Sequence, residues 1–255
     1  MMNLALFASQ QVGYEVAQFL GKEQEPISCL VVDARESSEN VSRIFRSSRI
    51  HSDNVLTSDD LSADSTIYRL RHMQLDLILL AWWPYLLEPH LIRIPRLGCL
   101  NFHPSLLPYN RGKHYNFWTL VEDTPFGVTL HFINDGIDTG DIAYQIPIAK
   151  TWEDTAKTLY EKAQKEIVRL FIEKFPEIKS GRIPRRPQDA HFASFHRARE
   201  LDPASQIDLD KTYTARALLN LLRARTFPPH PACFFFSEGC KYEVRVTIQR
   251  VEEGR

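Results

Sequence analysis

The chain contains the stretch Gly98-Cys99-Leu100-Asn101-Phe102-His103-Pro104-Ser105-Leu106-Leu107-Pro108, whose pattern decides the fold. Residues 99–102 are typical of a short apolar strand, and Pro104 cannot donate a hydrogen bond to a sheet, so we expect the strand to end before it. Because side chains alternate along a strand, Asn101 and His103 lie on one face at its carboxyl end, where open α/β sheets bind ligands. An amide can stabilise an oxyanion and an imidazole can move a proton, so this stretch predicts half of an acyl-transfer site.

A second stretch, residues 133–141, supplies a candidate carboxylate. It follows a second apolar strand, residues 128–132, and its two glycines permit tight turns that bring the chain back over the sheet. Asp138 beside His103 would favour the imidazolium and fix its orientation. The spacing alone leaves open whether these two side chains meet.

Composition excludes several classes of protein. The 255 residues are 44% hydrophobic, enough for a large core in one or two domains, and the net charge of −1 provides no general attraction to nucleic acid. Residues 1–20 lack the basic start of a signal peptide, and no window is long and apolar enough for a membrane span. The four cysteines have no metal-binding spacing and are expected to be buried free thiols, so we expect a cytoplasmic protein.

The hydrophobic pattern predicts an α/β fold with a Rossmann-like open, mostly parallel sheet, since the run 75–82 is typical of a buried parallel strand. Further strands are expected at 3–8, 27–32, 51–56 and 142–148, and helices at 12–20, 41–46, 66–73, 116 onwards, 153–175 and 215–224. Pro176 is expected to end the long helix.

A basic, proline-rich segment at residues 180–187 predicts a domain boundary, with a catalytic domain at 1–180 and a small C-terminal region at 181–255. That region is expected to end in a β-hairpin, with strands at 232–236 and 241–251. A hairpin is marginal alone, so it must pack on its own domain or on a dimer partner.

The turn after the first strand argues against a dinucleotide cofactor. It contains only Gly13, whereas the dinucleotide fingerprint needs several glycines. Asp33, at the end of the second strand, is therefore expected to be a solvated loop acid rather than a ribose ligand.

Two clusters have both structural and functional interpretations. Trp82, Trp83 and Tyr85 end a buried strand, where they either belong to the core or form a pocket for a flat ligand. Arg111 and Lys113 flank a glycine after the candidate catalytic strand, where they are either solvated or bind an anionic or polar acceptor.

Three motifs resemble the folate-dependent formyltransferase family, which includes glycinamide ribonucleotide and methionyl-tRNA formyltransferases. They are Asn101 to Pro108, Gly127-Val128-Thr129-Leu130-His131 and Asp138-Thr139-Gly140. The resemblance implies a formyltransferase fold, the catalytic trio Asn101, His103 and Asp138, and N10-formyltetrahydrofolate as the formyl donor. It also implies folate contacts at Leu80, Trp82, Trp83, Tyr85, Asn134, Asp135 and Gly136.

The acceptor substrate is inferred from the places where this sequence differs from other members of that family. The turn at residues 9–13 lacks the glycine-rich phosphate loop of glycinamide ribonucleotide enzymes, and the short C-terminal region lacks the tRNA-binding barrel of methionyl-tRNA enzymes. The opening, the block 109–114 and the hairpin are similar to nucleotide-sugar N-formyltransferases, which are commonly homodimers through such a hairpin. The resemblance implies a role in surface polysaccharide (O-antigen) biosynthesis and acceptor contacts at Tyr109, Arg111, Gly112 and Lys113. It leaves open whether the amine is at C3 or C4 and whether the nucleotide is dTDP or GDP, with dTDP-4-amino-4,6-dideoxyglucose as the preferred acceptor.

Other functions stay open at this point. The same trio could serve a formyltetrahydrofolate hydrolase or another formyltransferase, including one for methionyl-tRNA. A non-enzymatic folate or nucleotide-sugar binding protein would not need all three residues. His103, His114, His131 and Asp138 are residue types that bind metals, but no metal is expected, since His131, on a strand, is expected to be structural.

Overall fold

The computed structural model describes residues 2–251, and their strands form one large sheet and two small ones. The strands are β1 (Leu4–Ala8), β2 (Ile27–Val32), β3 (Val55–Thr57), β4 (Leu77–Ala81), β5 (Cys99–His103), β6 (Arg111–Gly112), β7 (Gly127–Phe132), β8 (Ile142–Pro147), β9 (Phe195–His196), β10 (Cys233–Ser237) and β11 (Cys240–Val244). In the described residues the large sheet has seven strands in the order β3-β2-β1-β4-β5-β7-β8.

The large sheet confirms the predicted Rossmann-like topology. β1 pairs in parallel with β2 and β4, β2 with β3, and β4 with β5, whereas β7 is antiparallel to β5. β1, β4 and most of β2 are buried. Such continuous burial is why these strands are nearly continuous apolar runs in the sequence.

The helices differ by a few residues from the predicted bounds, except the last, 215–224, which is as predicted. They are α1 (Gln10–Lys22), α2 (Ser38–Ser48), α3 (Asp64–His72), α4 (Pro89–Ile92), α5 (Tyr115–Val121), α6 (Ala156–Lys179), α7 (Leu201–Ala204) and α8 (Ala215–Ala224). The prediction that Pro176 ends the long helix is wrong, since α6 runs to Lys179. Proline removes one backbone donor, but the fully buried Ile178 holds the last turn by packing.

The packing of α1 on β1 explains why the segment after β1 contains a glycine, Gly13. A Cβ at Gly13 would lie 2.9 Å from the backbone carbon of Ala8, at the end of β1. Gly13 therefore lets α1 approach the strand that it follows, and it has a packing role.

Backbone contacts divide the chain into two compact units that alternate along the sequence. The first unit contains the residues up to His103, Thr129–Ile146 and Gln164–Gln188. The second contains Pro104–Val128, Pro147–Ala163 and the residues from Asp189 onwards. In the described residues, no helix is both long and apolar enough to cross a bilayer.

The hairpin of the second unit, β10 and β11, is shorter than predicted. Its second strand ends at Val244 instead of continuing to Val251, because β10 begins at Cys233 and the prolines before it cannot supply a longer ladder. The four cysteines are free, and Cys29, Cys99 and Cys233 are buried as expected, but Cys240, beside the turn, is exposed. Burial raises the pKa of the Cys99 thiol to about 12.

An aromatic cluster in the first unit packs α6 against α1 and the sheet. The Phe171 ring lies 5.1 Å from that of Phe102 on β5 and 5.8 Å from that of Phe19 on α1. Phe171 is fully buried, whereas its neighbour Ile172 is 41% exposed.

We expect Phe171→Ala to lower the free energy of unfolding by about 3–5 kcal/mol, because the substitution leaves a cavity under the sheet. Ile172→Ala, one residue further along α6, is the matched control and should cost less than about 1 kcal/mol. Chemical denaturation measures both, and equal losses for the two variants would contradict the packing described.

Candidate active site

The first part of the site lies on β5 and its antiparallel neighbour β7. Asn101 is paired with His131, and His103 with Thr129. Because directly opposed residues point to the same face, the side chains of Asn101, His103 and His131 share one face of the sheet. His103 and His131 are both buried.

The loop after β7 brings the carboxylate to that face. Asp138 Oδ1 lies 3.6 Å from His103 Nδ1 and also 3.6 Å from His131 Nε2. The loop thus brings Asp138 to the face that holds Asn101 and His103, as the sequence predicted for the trio. It also places Asp138 beside His131, which was not part of that prediction.

Local interactions fix the backbone of this loop. A Cβ at Gly140 would overlap the carbonyl oxygen of Phe132, so only glycine allows the loop to close onto the end of β7. Asp138 has a φ of 52°, a left-handed conformation that aspartate tolerates better than most residues. The Gln188 side-chain amide donates hydrogen bonds to the carbonyl oxygens of Asp138, at 2.8 Å, and Gly140, at 2.7 Å.

His131 orients Asn101, a contact that the sequence did not predict. His131 Nδ1 lies 2.9 Å from the carbonyl oxygen of Phe132, which can only accept, so Nδ1 carries the proton. The opposite nitrogen, Nε2, then has a lone pair and accepts from Asn101 Nδ2 at 3.1 Å. This hydrogen bond fixes which end of the Asn101 amide is the donor.

The cluster can perform the chemistry that its residue types predict. The Asn101 amide is an oriented N–H donor on the same face as the His103 imidazole, and a carboxylate lies beside that imidazole. Such a group can stabilise negative charge on a carbonyl oxygen and move a proton.

Trp83 and Tyr85, which follow β4, line a cavity of about 270 Å³ in the first unit, together with residues such as Arg35 and Ser58. Trp83 and Tyr85 are in edge-to-face contact at 5.5 Å. Trp83 is only 8% exposed, and within the described residues its Nε1 is a buried donor with no hydrogen-bond partner.

Asp33 is buried and bonded to two residues that line this cavity, so the expectation of a solvated loop acid is wrong. It is 9% exposed, and its carboxylate accepts from the Tyr85 hydroxyl at 2.7 Å and from the Arg35 backbone N–H at 2.9 Å. The hydrogen bond to Asp33 raises the pKa of Tyr85. The carboxylate is buried because these donors replace water.

The remaining candidate folate contacts differ in accessibility. Leu80 is a core residue of β4 with 1% exposure, whereas Trp82 is partly buried and adopts a positive φ of 60°. Asn134, Asp135 and Gly136 are exposed in the loop after β7, and Asp135 lies 3.7 Å from the Arg93 guanidinium.

The block at Tyr109 to Lys113 lies in the second unit, where a small parallel sheet fixes its backbone. β6 pairs with β9, a contact that the sequence did not predict. The backbone N–H groups of Arg111 and Lys113 donate to the carbonyl oxygens of Ser194 and His196, each at 3.0 Å. Gly112 has a φ of 88° and packs against β9, and the Tyr109 ring lies 6.3 Å from that of Phe192.

Two known protein families match two separate ranges of this sequence. A family described as formyl transferase matches residues 11–175, and a family described as the N-formyltransferase dimerization C-terminal domain matches residues 200–250. The first match includes Asn101, His103, His131 and Asp138.

Solved structures share the fold. A 4-N formyltransferase from Francisella tularensis has a TM-score of 0.82 at 22% identity, covering 98% of this chain and 99% of its own. The formyltransferase PseJ from Anoxybacillus kamchatkensis, in complex with UDP-4,6-dideoxy-4-formamido-L-AltNAc and tetrahydrofolate, has a TM-score of 0.59 at 26% identity, covering 79% and 88%. An N-formyltransferase from Helicobacter canadensis, in complex with folinic acid and dTDP-3-aminofucose, has a TM-score of 0.69 at 17% identity, covering 94% and 85%.

The His131 tautomer is directly testable. Nitrogen NMR of histidine-labelled protein should show the proton of neutral His131 on Nδ1 and none on Nε2, since the Phe132 carbonyl accepts only from a protonated nitrogen. Loss of the signals in His131→Gln assigns them. Asn101→Ala is the control and should keep the same tautomer, whereas a proton on Nε2 of the unsubstituted protein would show that His131 does not orient Asn101 in this way.

Proposed function

Because the chain belongs to the formyl transferase family, we propose that it transfers a formyl group from N10-formyltetrahydrofolate to the amine of a nucleotide-linked amino sugar. The observation that carries this proposal is the contact of Asp138 with His103, on the sheet face that also holds the oriented Asn101 amide. Folate as co-substrate is supported by the tetrahydrofolate and folinic acid held by two of the similar structures.

The proposed roles follow from the geometry. Bound N10-formyltetrahydrofolate supplies an activated formyl group, which the acceptor amine attacks. The Asn101 N–H and protonated His103 donate hydrogen bonds to the oxygen on which negative charge develops. The Asp138 carboxylate stabilises the imidazolium and, through water, accepts the proton that the amine loses. The bond from the formyl carbon to N10 then breaks, and that proton passes through the same water to N10, so that tetrahydrofolate leaves. His131 keeps the Asn101 amide in its donating orientation.

We place the folate ring near Trp82, Trp83 and Tyr85, with the loop of Asn134, Asp135 and Gly136 and the backbone of Leu80 as further contacts. The buried Trp83 Nε1 is a donor available to a ligand, and the adjoining cavity has aromatic walls suited to a flat ring. Ile133, which begins the loop, packs against the same hydrophobic cluster as Trp83.

We assign acceptor binding to Tyr109, Arg111, Gly112 and Lys113. Guanidinium and ammonium groups suit a diphosphate, and the pairing of β6 with β9 holds the backbone that carries them. The specific acceptor proposed is dTDP-4-amino-4,6-dideoxyglucose, destined for a surface polysaccharide such as O-antigen. Its C4 amine is supported by the similarity to the 4-N formyltransferase from Francisella tularensis.

The test is formyl transfer to a panel of dTDP-, UDP- and GDP-linked 3-amino and 4-amino dideoxy sugars, followed by mass spectrometry and tetrahydrofolate release. We expect formylation of the dTDP-linked 4-amino sugar. Formylation of another panel member would revise the acceptor, and tetrahydrofolate release without a formylated sugar would indicate a hydrolase. The absence of any folate turnover would contradict the proposed reaction.

The acceptor contacts make a separate prediction. Arg111→Ala should raise KM for the nucleotide sugar about 10- to 100-fold, the loss of one charge-assisted hydrogen bond, with KM for folate unchanged. Arg199→Ala, which replaces an exposed arginine of the same unit, is the control and should change neither constant. An unchanged sugar KM in Arg111→Ala would remove Arg111 from the acceptor site.

We further propose a division into a catalytic domain at 1–180 and a C-terminal region at 181–255 that forms a homodimer through its hairpin. The division is supported by the separate family matches at 11–175 and 200–250. The hairpin carries the apolar side chains of Phe236 and Tyr242, which are 54% and 46% exposed in the single chain. The buried free thiols support a cytoplasmic location, which cell fractionation would check.

If the hairpin forms the dimer, a charged substitution in it should halve the mass of the particle in solution. Phe236→Glu should sediment as a monomer at concentrations where the unsubstituted protein is a dimer, because a carboxylate cannot be buried unpaired without a large cost. Ile172→Glu, outside residues 200–250, is the control and should stay dimeric. A dimeric Phe236→Glu variant would place the interface elsewhere.

A further inference from the structure

His103, His131 and Asp138 present three donor atoms to one point in the first unit. One ligand atom from each of the three residues lies within 4.8 Å of the other two. His103 Nδ1 and His131 Nε2 each lie 3.6 Å from Asp138 Oδ1. Tetrahedral Zn²⁺ with bonds of about 2.0–2.1 Å holds its ligand atoms about 3.3 Å apart. The two distances to Asp138 therefore already approach those of a zinc site.

The hydrogen bonding of His131 also matches that of a zinc ligand. Its Nδ1–H donates to the Phe132 carbonyl oxygen, which leaves the lone pair on Nε2, the nitrogen that faces Asp138. Metal-binding histidines almost always donate their other ring N–H to a backbone carbonyl or a carboxylate in this way. The backbone of β7 thus favours, without a bound ion, the His131 tautomer that can bind a metal through Nε2.

The three ligands lie on backbone that other contacts hold. His103 and His131 are on the paired strands β5 and β7, and Gln188 holds the carbonyl oxygen of Asp138. Two imidazoles and one carboxylate, with a water as fourth ligand, form a donor set that suits Zn²⁺.

We propose that this His-His-Asp cluster binds Zn²⁺, and that the bound ion inhibits the enzyme. Zinc would take the Nε2 lone pair that now accepts from Asn101, and would neutralise the carboxylate beside His103. The Asn101 amide then loses its orienting partner, and His103, with its Nδ1 bound to the ion, can no longer become the imidazolium that the proposed transfer needs. Binding of zinc stands on the geometry alone, whereas inhibition rests on the proposed formyl transfer.

The experiment measures zinc binding and activity separately, on tag-free protein without folate or sugar. Calorimetric titration with ZnCl₂ gives the affinity, and the visible absorption of added Co²⁺ reports tetrahedral coordination. His131→Gln keeps an amide oxygen that can accept from Asn101 but lacks the ligand nitrogen, and it should weaken Zn²⁺ binding at least about 10-fold. The control His51→Ala removes an exposed histidine that lies 3.4 Å from Asp53 and should leave zinc affinity and basal activity unchanged.

The outcomes separate the inference from the proposed function. One tight zinc site that is lost in His131→Gln supports the binding, and loss of at least nine-tenths of the formyl transfer at saturating Zn²⁺, restored by EDTA, supports inhibition. Zinc binding that His131→Gln leaves unchanged, or the absence of a tight site, overturns the inference even if the enzyme transfers formyl groups. Zinc binding to a protein that shows no formyl transfer would retain the metal site and reject the function, and activation by zinc would overturn inhibition.

Discussion

Asn101 lies directly opposite His131 where β5 and β7 pair, and the rest of the candidate site depends on this register. A shift of one residue would turn Asn101 and His103 to the opposite face from His131. With the observed register, one hydrogen bond orients the Asn101 amide and both imidazoles face the same carboxylate. The antiparallel pairing therefore assembles residues that are about thirty positions apart in the sequence.

The loop after β7 supplies the Asp138 carboxylate of the candidate site, and its conformation costs some folding free energy. A non-glycine residue in the left-handed conformation costs roughly 1–2 kcal/mol, and burying part of a carboxylate also disfavours folding. Two hydrogen bonds from Gln188 contribute about 1 kcal/mol each, which offsets much of that strain. Gln188 is thus a positioning residue that belongs to the site although it lies fifty residues beyond Asp138.

Much of the fold was predictable because buried parallel strands are nearly continuous apolar runs in the sequence. The apolar runs gave β1, β2, β4 and β5, and alternation placed Asn101 and His103 on one face. The shortness of β6 and β9 hid their pairing, since two residues carry no periodic signal. The last turn of α6 and the length of β11 depend on packing and on the partner strand, neither of which is local in sequence.

The candidate site was predictable only in part. His103 and Asp138 were named, but spacing could not show that they meet, because that depends on how the loop closes over Phe132. His131 was expected to be structural because it lies on a strand, and only the register of β7 against β5 shows that it contacts Asn101. Thr129 and His131 interrupt an otherwise apolar buried strand at alternate positions, and that interruption was the available signal of a polar face.

We propose that the cluster of Asn101, His103 and Asp138 carries out formyl transfer. Single-turnover rates with both substrates saturating measure this chemistry, in His103→Ala and Asp138→Asn beside the control Asp53→Asn, which replaces an exposed carboxylate outside the cluster. We expect about 10²- to 10⁴-fold slower transfer in the first two variants, with folate binding nearly intact, and a near-native rate in the control. A native single-turnover rate in His103→Ala would contradict it.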